Sequence, residues 1–103
     1  MKSFVLTHKA EEDLDAIDEY VAERFGNAVA ERVTERLFES FALLAEQPGI
    51  GTPRLQWTSE AILFWPVPGT PSLIIYRDTT PLQVLRVWNG RQDPREIEGS
   101  LSG

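Results

Sequence analysis

Two amphipathic segments that lie almost end to end constrain this chain more than any other feature. Within each segment, apolar residues recur at steps of three and four, which places them on one face of a helix. The first set is Ala10, Leu14, Ile17, Val21 and Phe25, and the second is Val29, Val33, Leu37, Phe41 and Leu44. Because the link between the segments is one or two residues long, the pattern predicts an antiparallel helical hairpin.

Local signals predict where these helices begin and end. Thr7 can cap a first helix that runs from His8 to Phe25, and Gly26 suits its C-terminal end. Asn27 is expected to cap the second helix through its side chain. That helix ends at "QPGIG", because proline and glycine do not continue a helix.

Four short runs have the composition of β-strands. "SFVLT" predicts a strand at about Lys2 to Thr7, and "AILFWPV", "SLIIYRD" and "LQVLRVWN" predict three more, separated by the turn compositions "PGTP" and "TTP". Pro66 and Pro68 place their strand at a sheet edge or force a bulge, since proline cannot donate a ladder hydrogen bond.

A helical hairpin must bury its apolar stripe against another layer, and the remaining predicted elements of this chain can form only a sheet. The expected fold is therefore α+β, with an N-terminal strand and an antiparallel helical hairpin packed on one face of a mainly antiparallel sheet of about four strands. We expect a single domain over residues 1–96 and a flexible C-terminal tail over residues 97–103.

Alternation along the last strand predicts which side chains face a partner. Leu85 and Val87 are expected to point into the helices, whereas Val84, Arg86 and Trp88 point to the opposite, uncovered face. Arginine and tryptophan are enriched at binding hot spots, so these two residues are candidates for partner binding. The alternative is structural: the tryptophan covers an apolar patch and the arginine pairs with a nearby acid.

The composition limits the chemistry available to this chain. With no cysteine and His8 as the sole histidine, Cys/His nucleophilic catalysis and a multi-histidine metal site are excluded, and no cofactor motif is present. RNA cleavage needs cations as well as an acid and a base. The candidate cations are Arg54, Arg77 and Arg86, and the candidates for proton transfer are Glu60, Asp78, Asp93 and Tyr76.

The charge and the N-terminus limit where the protein acts. A net charge of -6 argues against broad, unaided binding to a phosphate backbone. The opening "MKSFVLTHKA" has too few consecutive apolar residues for a signal peptide or a membrane span. We expect a cytoplasmic protein without a membrane partner.

The order of four segments resembles the toxins of the RelE/ParE superfamily, and among them the ParE branch. The segments are "LTHKAEEDLDAIDEYVAERFG", "LLAEQPGIGTPR", "LIIYR" and "LQVLRVWNGRQDP". The resemblance covers nearly the whole chain and implies a type II toxin–antitoxin module without a cofactor. In such a module a ParD-like antitoxin wraps its C-terminal segment over the toxin, and operator DNA is reached only through the antitoxin. Free ParE toxins inhibit DNA gyrase, whereas RelE-like relatives cleave mRNA in the ribosome.

The resemblance also suggests residues for each role. The conserved arginine of the last strand falls on Arg86 and the closing Gly-Arg-x-Asp on Gly90, Arg91 and Asp93, so the predicted target-binding residues are Arg86, Trp88, Arg91 and Asp93. We expect the antitoxin to contact an apolar helical surface and an exposed sheet edge. The residues expected there are Phe38, Leu73, Ile75 and Tyr76.

Asn89 stands where many of these relatives have histidine, and asparagine is neither an acid nor a base near neutral pH. This departure favours a non-enzymatic gyrase inhibitor. Two alternatives stay open. One is a ribosome-dependent endoribonuclease that uses Arg54, Arg77 and Arg86, and the other is a non-toxic binding module that retains affinity for the antitoxin.

Overall fold

The computed structural model describes residues 3–54 and 61–89, which form two helices packed on a four-stranded sheet. The elements in chain order are β1 (Phe4–Leu6), α1 (His8–Phe25), α2 (Asn27–Glu46), a 3₁₀ turn (Pro48–Ile50), β2 (Leu63–Pro66), β3 (Ser72–Arg77) and β4 (Leu82–Asn89). The expected α+β class is confirmed. The predicted tail, residues 97–103, lies outside the described residues.

The helix boundaries follow from their capping residues. Thr7 is extended, and its Oγ1 accepts a hydrogen bond from the backbone N–H of Ala10 at 3.1 Å, which caps α1 as predicted. Gly26 ends α1 with φ of 92°, a conformation that side-chain-bearing residues rarely adopt. The expectation for Asn27 was wrong: this residue is already helical, Gly26 occupies the cap position, and no side chain caps α2 there.

The sheet has the order β1-β4-β3-β2. β1 pairs with β4 in parallel, and the other two pairings are antiparallel, so the sheet is mixed. β2 is an edge strand that ends at Pro66, as its proline predicts, and its outer side pairs with Thr52 at Phe64. β3 is an interior strand between β4 and β2.

The main core lies between the helices and one face of the sheet. α2 supplies the larger share, with Leu37, Phe41 and Leu44 fully buried, whereas Ala10 is the buried residue of α1. The sheet contributes Ile74, Tyr76, Leu82, Val84 and Val87 to the same cluster. Each large apolar side chain buried here contributes about 1.5–3 kcal/mol, which makes α2 the more firmly packed helix.

The opposite face of the sheet carries a second buried cluster instead of an open surface. Its buried members are Ile62, Phe64, Ile75, Leu85 and Trp88. The expectation of an uncovered face was therefore wrong, and the side chains predicted to reach a partner across it need a different interpretation.

A bulge in β4 explains why simple alternation fails in this strand. Tyr76 pairs with Val84, but the next residue back along β3, Ile75, pairs with Arg86, which leaves Leu85 as an extra residue. Val84 therefore faces the helices and Leu85 faces away, the reverse of the prediction. Beyond the bulge the predicted sides of Val87 and Trp88 are correct.

Neither described helix is both long enough and apolar enough to cross a membrane.

Candidate functional site

A carboxylate of α1 and a guanidinium of β4 form the most developed polar site among the described residues. Asp13 accepts hydrogen bonds from Arg86 through both of its oxygens, from Nε at 2.8 Å and from Nη2 at 2.9 Å. Its Oδ2 also accepts the backbone N–H of Val87 at 2.9 Å. One carboxylate thus binds a side chain and the main chain of the same strand.

The short first strand creates the opening that Asp13 fills. β1 pairs with β4 only as far as Val84, so the following backbone groups of β4 need other partners. The Thr7 hydroxyl donates to the carbonyl of Leu85 at 2.7 Å, and Asp13 accepts from Val87. The start of α1 therefore continues the hydrogen bonding of β1 with side chains.

The electrostatics of the pair reflect partial burial. Both side chains are 15% exposed, and the hydrogen bonds from Arg86 to Asp13 raise the pKa of the guanidinium, while burial acts in the opposite direction. The guanidinium carbon of Arg86 also lies 5.6 Å from the centroid of the Trp88 ring. Arg86 is therefore a charged group held between a carboxylate and an aromatic ring.

The other predicted target-binding residues are Trp88, which is buried, and Arg91 and Asp93, which lie outside the described residues. Trp88 is only 3% exposed and packs in the second cluster, so it does not present an open contact surface. The burial of Trp88 and the pairing of Arg86 with an acid are features that the structural alternative expects, and the role of Arg86 in target binding stays a prediction. Arg91 and Asp93 lie outside the described residues, and their assignment stays a prediction.

The residues considered for RNA cleavage do not assemble a catalytic set in the described part of the chain. Arg86 is bound to Asp13, and Arg54 and Arg77 each interact with another group. Tyr76 is fully buried, its hydroxyl donates to the carbonyl of Pro48 at 2.6 Å, and burial raises its pKa. Asp78 is exposed, whereas Glu60 and Asp93 lie outside the described residues.

The predicted antitoxin-binding residues divide into two groups. Phe38 is 42% exposed on α2, with ring centroids 6.2 Å from Phe4 and 5.3 Å from Phe41, and it stays a candidate contact. The prediction of an exposed edge at Leu73, Ile75 and Tyr76 was wrong. Their strand, β3, is paired on both sides, and both Ile75 and Tyr76 are fully buried.

Comparison with known proteins identifies the family. The sequence model of the family described as "ParE toxin of type II toxin-antitoxin system, parDE" matches residues 4–94. The chain belongs to the ParE toxin family. It is also similar to the solved structure "Chromosomal ParDE TA system from P. aeruginosa", with a TM-score of 0.74 and 24% sequence identity over 86% of this chain and 96% of that chain. No curated protein sequence matches the chain significantly.

Within this ParE-family fold, Asp13 is the site residue that the sequence reasoning missed. A signal for it exists, because Asp13 lies three residues after buried Ala10 and four before Ile17, on the inward side of α1. An acid at such a position needs a buried partner, and Arg86 was already a candidate. Across residues 3–54 and 61–89, no three acidic, histidine or cysteine side chains group to hold a metal ion.

Proposed function

We propose that this chain is the toxin of a type II toxin–antitoxin pair that acts in the cytoplasm. In this proposal a ParD-like antitoxin neutralises it, and the free toxin inhibits DNA gyrase by binding. The observation that carries the proposal is the match to the ParE toxin family, which extends over residues 4–94. The fold shared with a ParDE structure supports it.

The chemistry of the described residues favours binding over catalysis. Cleavage through a 2′-hydroxyl needs a base and an acid near the phosphate, with cations around them. Tyr76 is buried and hydrogen-bonded to backbone, and the positive charge of Arg86 is offset by Asp13. The sole histidine, His8, lies exposed on α1 beside Glu12 at 3.4 Å.

Purified toxin tests the gyrase proposal directly. We expect it to inhibit supercoiling by gyrase or to increase gyrase-dependent DNA cleavage, and we expect added antitoxin to reverse the effect. Unchanged supercoiling and cleavage at a saturating toxin concentration would refute the proposal. A translating extract supplies the comparison, because site-specific mRNA breaks there would establish the endoribonuclease alternative instead.

Expression without the antitoxin separates a toxin from a binding module. We expect growth to stop after induction. Normal growth, together with folded and soluble protein that still binds the antitoxin, would favour the non-toxic module over both toxin mechanisms.

The exposed aromatic side chain of Phe38 is the proposed antitoxin contact on α2. A charge placed there would have to be buried in the complex, so Phe38→Glu is expected to raise the dissociation constant about 30-fold, equivalent to about 2 kcal/mol. Leu43→Glu is the matched control, because Leu43 is 38% exposed on the same helix but points about 140° away around its axis. Calorimetric titration with the antitoxin measures both, and native affinity for Phe38→Glu would contradict the assignment.

A further inference from the structure

Three hydrogen bonds converge on the carboxylate of Asp13, two from the side chain of Arg86 and one from the backbone of its neighbour Val87. Oδ2 receives both the Nε–H of Arg86 and the backbone N–H of Val87, while Oδ1 receives Nη2. This arrangement exceeds what docking α1 requires, since a single bond from Asp13 to Val87 would satisfy the strand. The additional bonds fix the orientation of the guanidinium.

The same bonds determine what Arg86 can still offer. Nε and Nη2 are engaged by Asp13, so the Nη1 edge is the one that is not turned to this carboxylate. The nearby ring of Trp88, 5.6 Å from the guanidinium carbon, limits movement of the group on another side. Because a free arginine loses much rotamer freedom on binding, an arginine that is already fixed loses less when it meets a partner.

We propose that Asp13 is the positioning residue for Arg86 in toxin action, and that it directs the Nη1 edge of Arg86 towards a hydrogen-bond acceptor on the target protein. The inference rests on the proposed function in taking gyrase as that target. Asp13 acts entirely through Arg86 and does not itself contact the target. Arg86 is thereby a recognition residue whose orientation is set within the toxin before the target binds.

Substitutions of the two partners test this proposal with a matched control. In Asp13→Asn an amide N–H₂ replaces one carboxylate oxygen and opposes either Nη2 or both Nε and the Val87 N–H, so the bidentate geometry is lost at nearly constant volume. Arg86→Lys keeps the charge but cannot form the two-point contact. Asp15→Asn removes the same charge from an exposed position of α1. All variants are compared with the wild type in the gyrase supercoiling assay. The concentration of folded protein is verified for each variant beforehand.

For Asp13→Asn and for Arg86→Lys we expect half inhibition to need about tenfold more toxin, because each variant loses a charge-assisted hydrogen bond. Asp15→Asn should stay within about twofold of the wild type. The double variant should be no weaker than Arg86→Lys alone, because one residue acts through the other. A ¹⁵N-resolved spectrum should show the Arg86 Nε–H protected in the wild type and lost in Asp13→Asn, while dispersed backbone signals report an intact fold.

Wild-type potency of Asp13→Asn after loss of the protected Nε–H signal would overturn the inference, as would additive losses in the double variant. If the wild type does not inhibit gyrase but stops growth on induction, the gyrase proposal fails and the same variants are compared by growth arrest. Full growth arrest by Asp13→Asn would then refute the positioning role. A wild type with neither activity would refute both proposals.

Discussion

Removing one hydroxyl group tests how the sheet is tied to the segment that follows α2. Tyr76 is fully buried in β3, and its hydroxyl donates to the carbonyl of Pro48 at 2.6 Å and accepts the N–H of Gly51 at 3.0 Å. In Tyr76→Phe the ring still fills the core, but both backbone groups lose their partner. At about 1 kcal/mol net for each hydrogen bond, unfolding should become easier by about 2 kcal/mol.

Urea unfolding measures this change against a control on the same residue type. We expect a lower midpoint with an unchanged m-value, and a melting temperature lower by about 10 °C for a domain of this size. Tyr20→Phe removes a hydroxyl from an exposed side chain, where water can replace its interactions, and should change stability by less than about 0.5 kcal/mol. An equally small effect of Tyr76→Phe would refute the reasoning, because it would mean that the two backbone groups find other partners at no cost.

Two further predictions concern the same contact. A Cβ added at Gly51 would overlap the Tyr76 hydroxyl, so Gly51→Ala should destabilise the fold by about 1–3 kcal/mol. Gly49→Ala is the control, because a Cβ added there meets nothing within 4 Å and should change the urea midpoint little. Equal midpoints for the two variants would contradict this prediction. Burial raises the pKa of Tyr76, and Asp78 adds to the rise, so the unfolded chain loses this proton first as pH increases. Stability should therefore hold below about pH 10 and fall as pH rises from there towards the pKa of the folded state, and Tyr76→Phe should lack this part of the fall. Urea unfolding of both proteins between about pH 8 and 11 tests the sign, since identical slopes would exclude Tyr76 as the cause.

The helices could be predicted because their signals are local. The apolar stripe, the threonine before α1, the glycine between the helices and the proline after α2 all act within a few residues of the boundary they set. The three later strands were also located to within two residues, because turn compositions separate them. Such signals depend only on residues close together in the chain, so the sequence alone is enough to detect them.

Strand order and the bulge could not be predicted because they depend on distant pairings. β3 was taken for an edge because nothing in "SLIIYRD" shows that β4 pairs on one side and β2 on the other. The extra residue Leu85 has no composition signal either, since it is one apolar residue among several in β4. One inserted residue reverses the facing of its neighbours, so the alternation rule assigned Val84 and Leu85 to the wrong sides.

The pair of Asp13 and Arg86 shows what could and what could not be predicted of the candidate site. Arg86 was predicted from its chemistry and from the resemblance, but its partner was not, because Asp13 is 73 residues away in the chain. The spacing of Asp13 from buried Ala10 places it towards the sheet, and this position on the helix face was the signal for it that the sequence contained.

The short first strand and the acid on α1 are related features. Because β1 stops opposite Val84, the backbone of β4 beyond that residue needs other partners, and Asp13 accepts both the Val87 N–H and the Arg86 guanidinium there. Ala10 is the residue of α1 in the buried class, and Leu14 and Ile17 pack against the core while partly exposed, so these bonds add a polar attachment between the acidic helix and the sheet. One carboxylate thus secures the helix and orients the arginine at the point where the first strand ends.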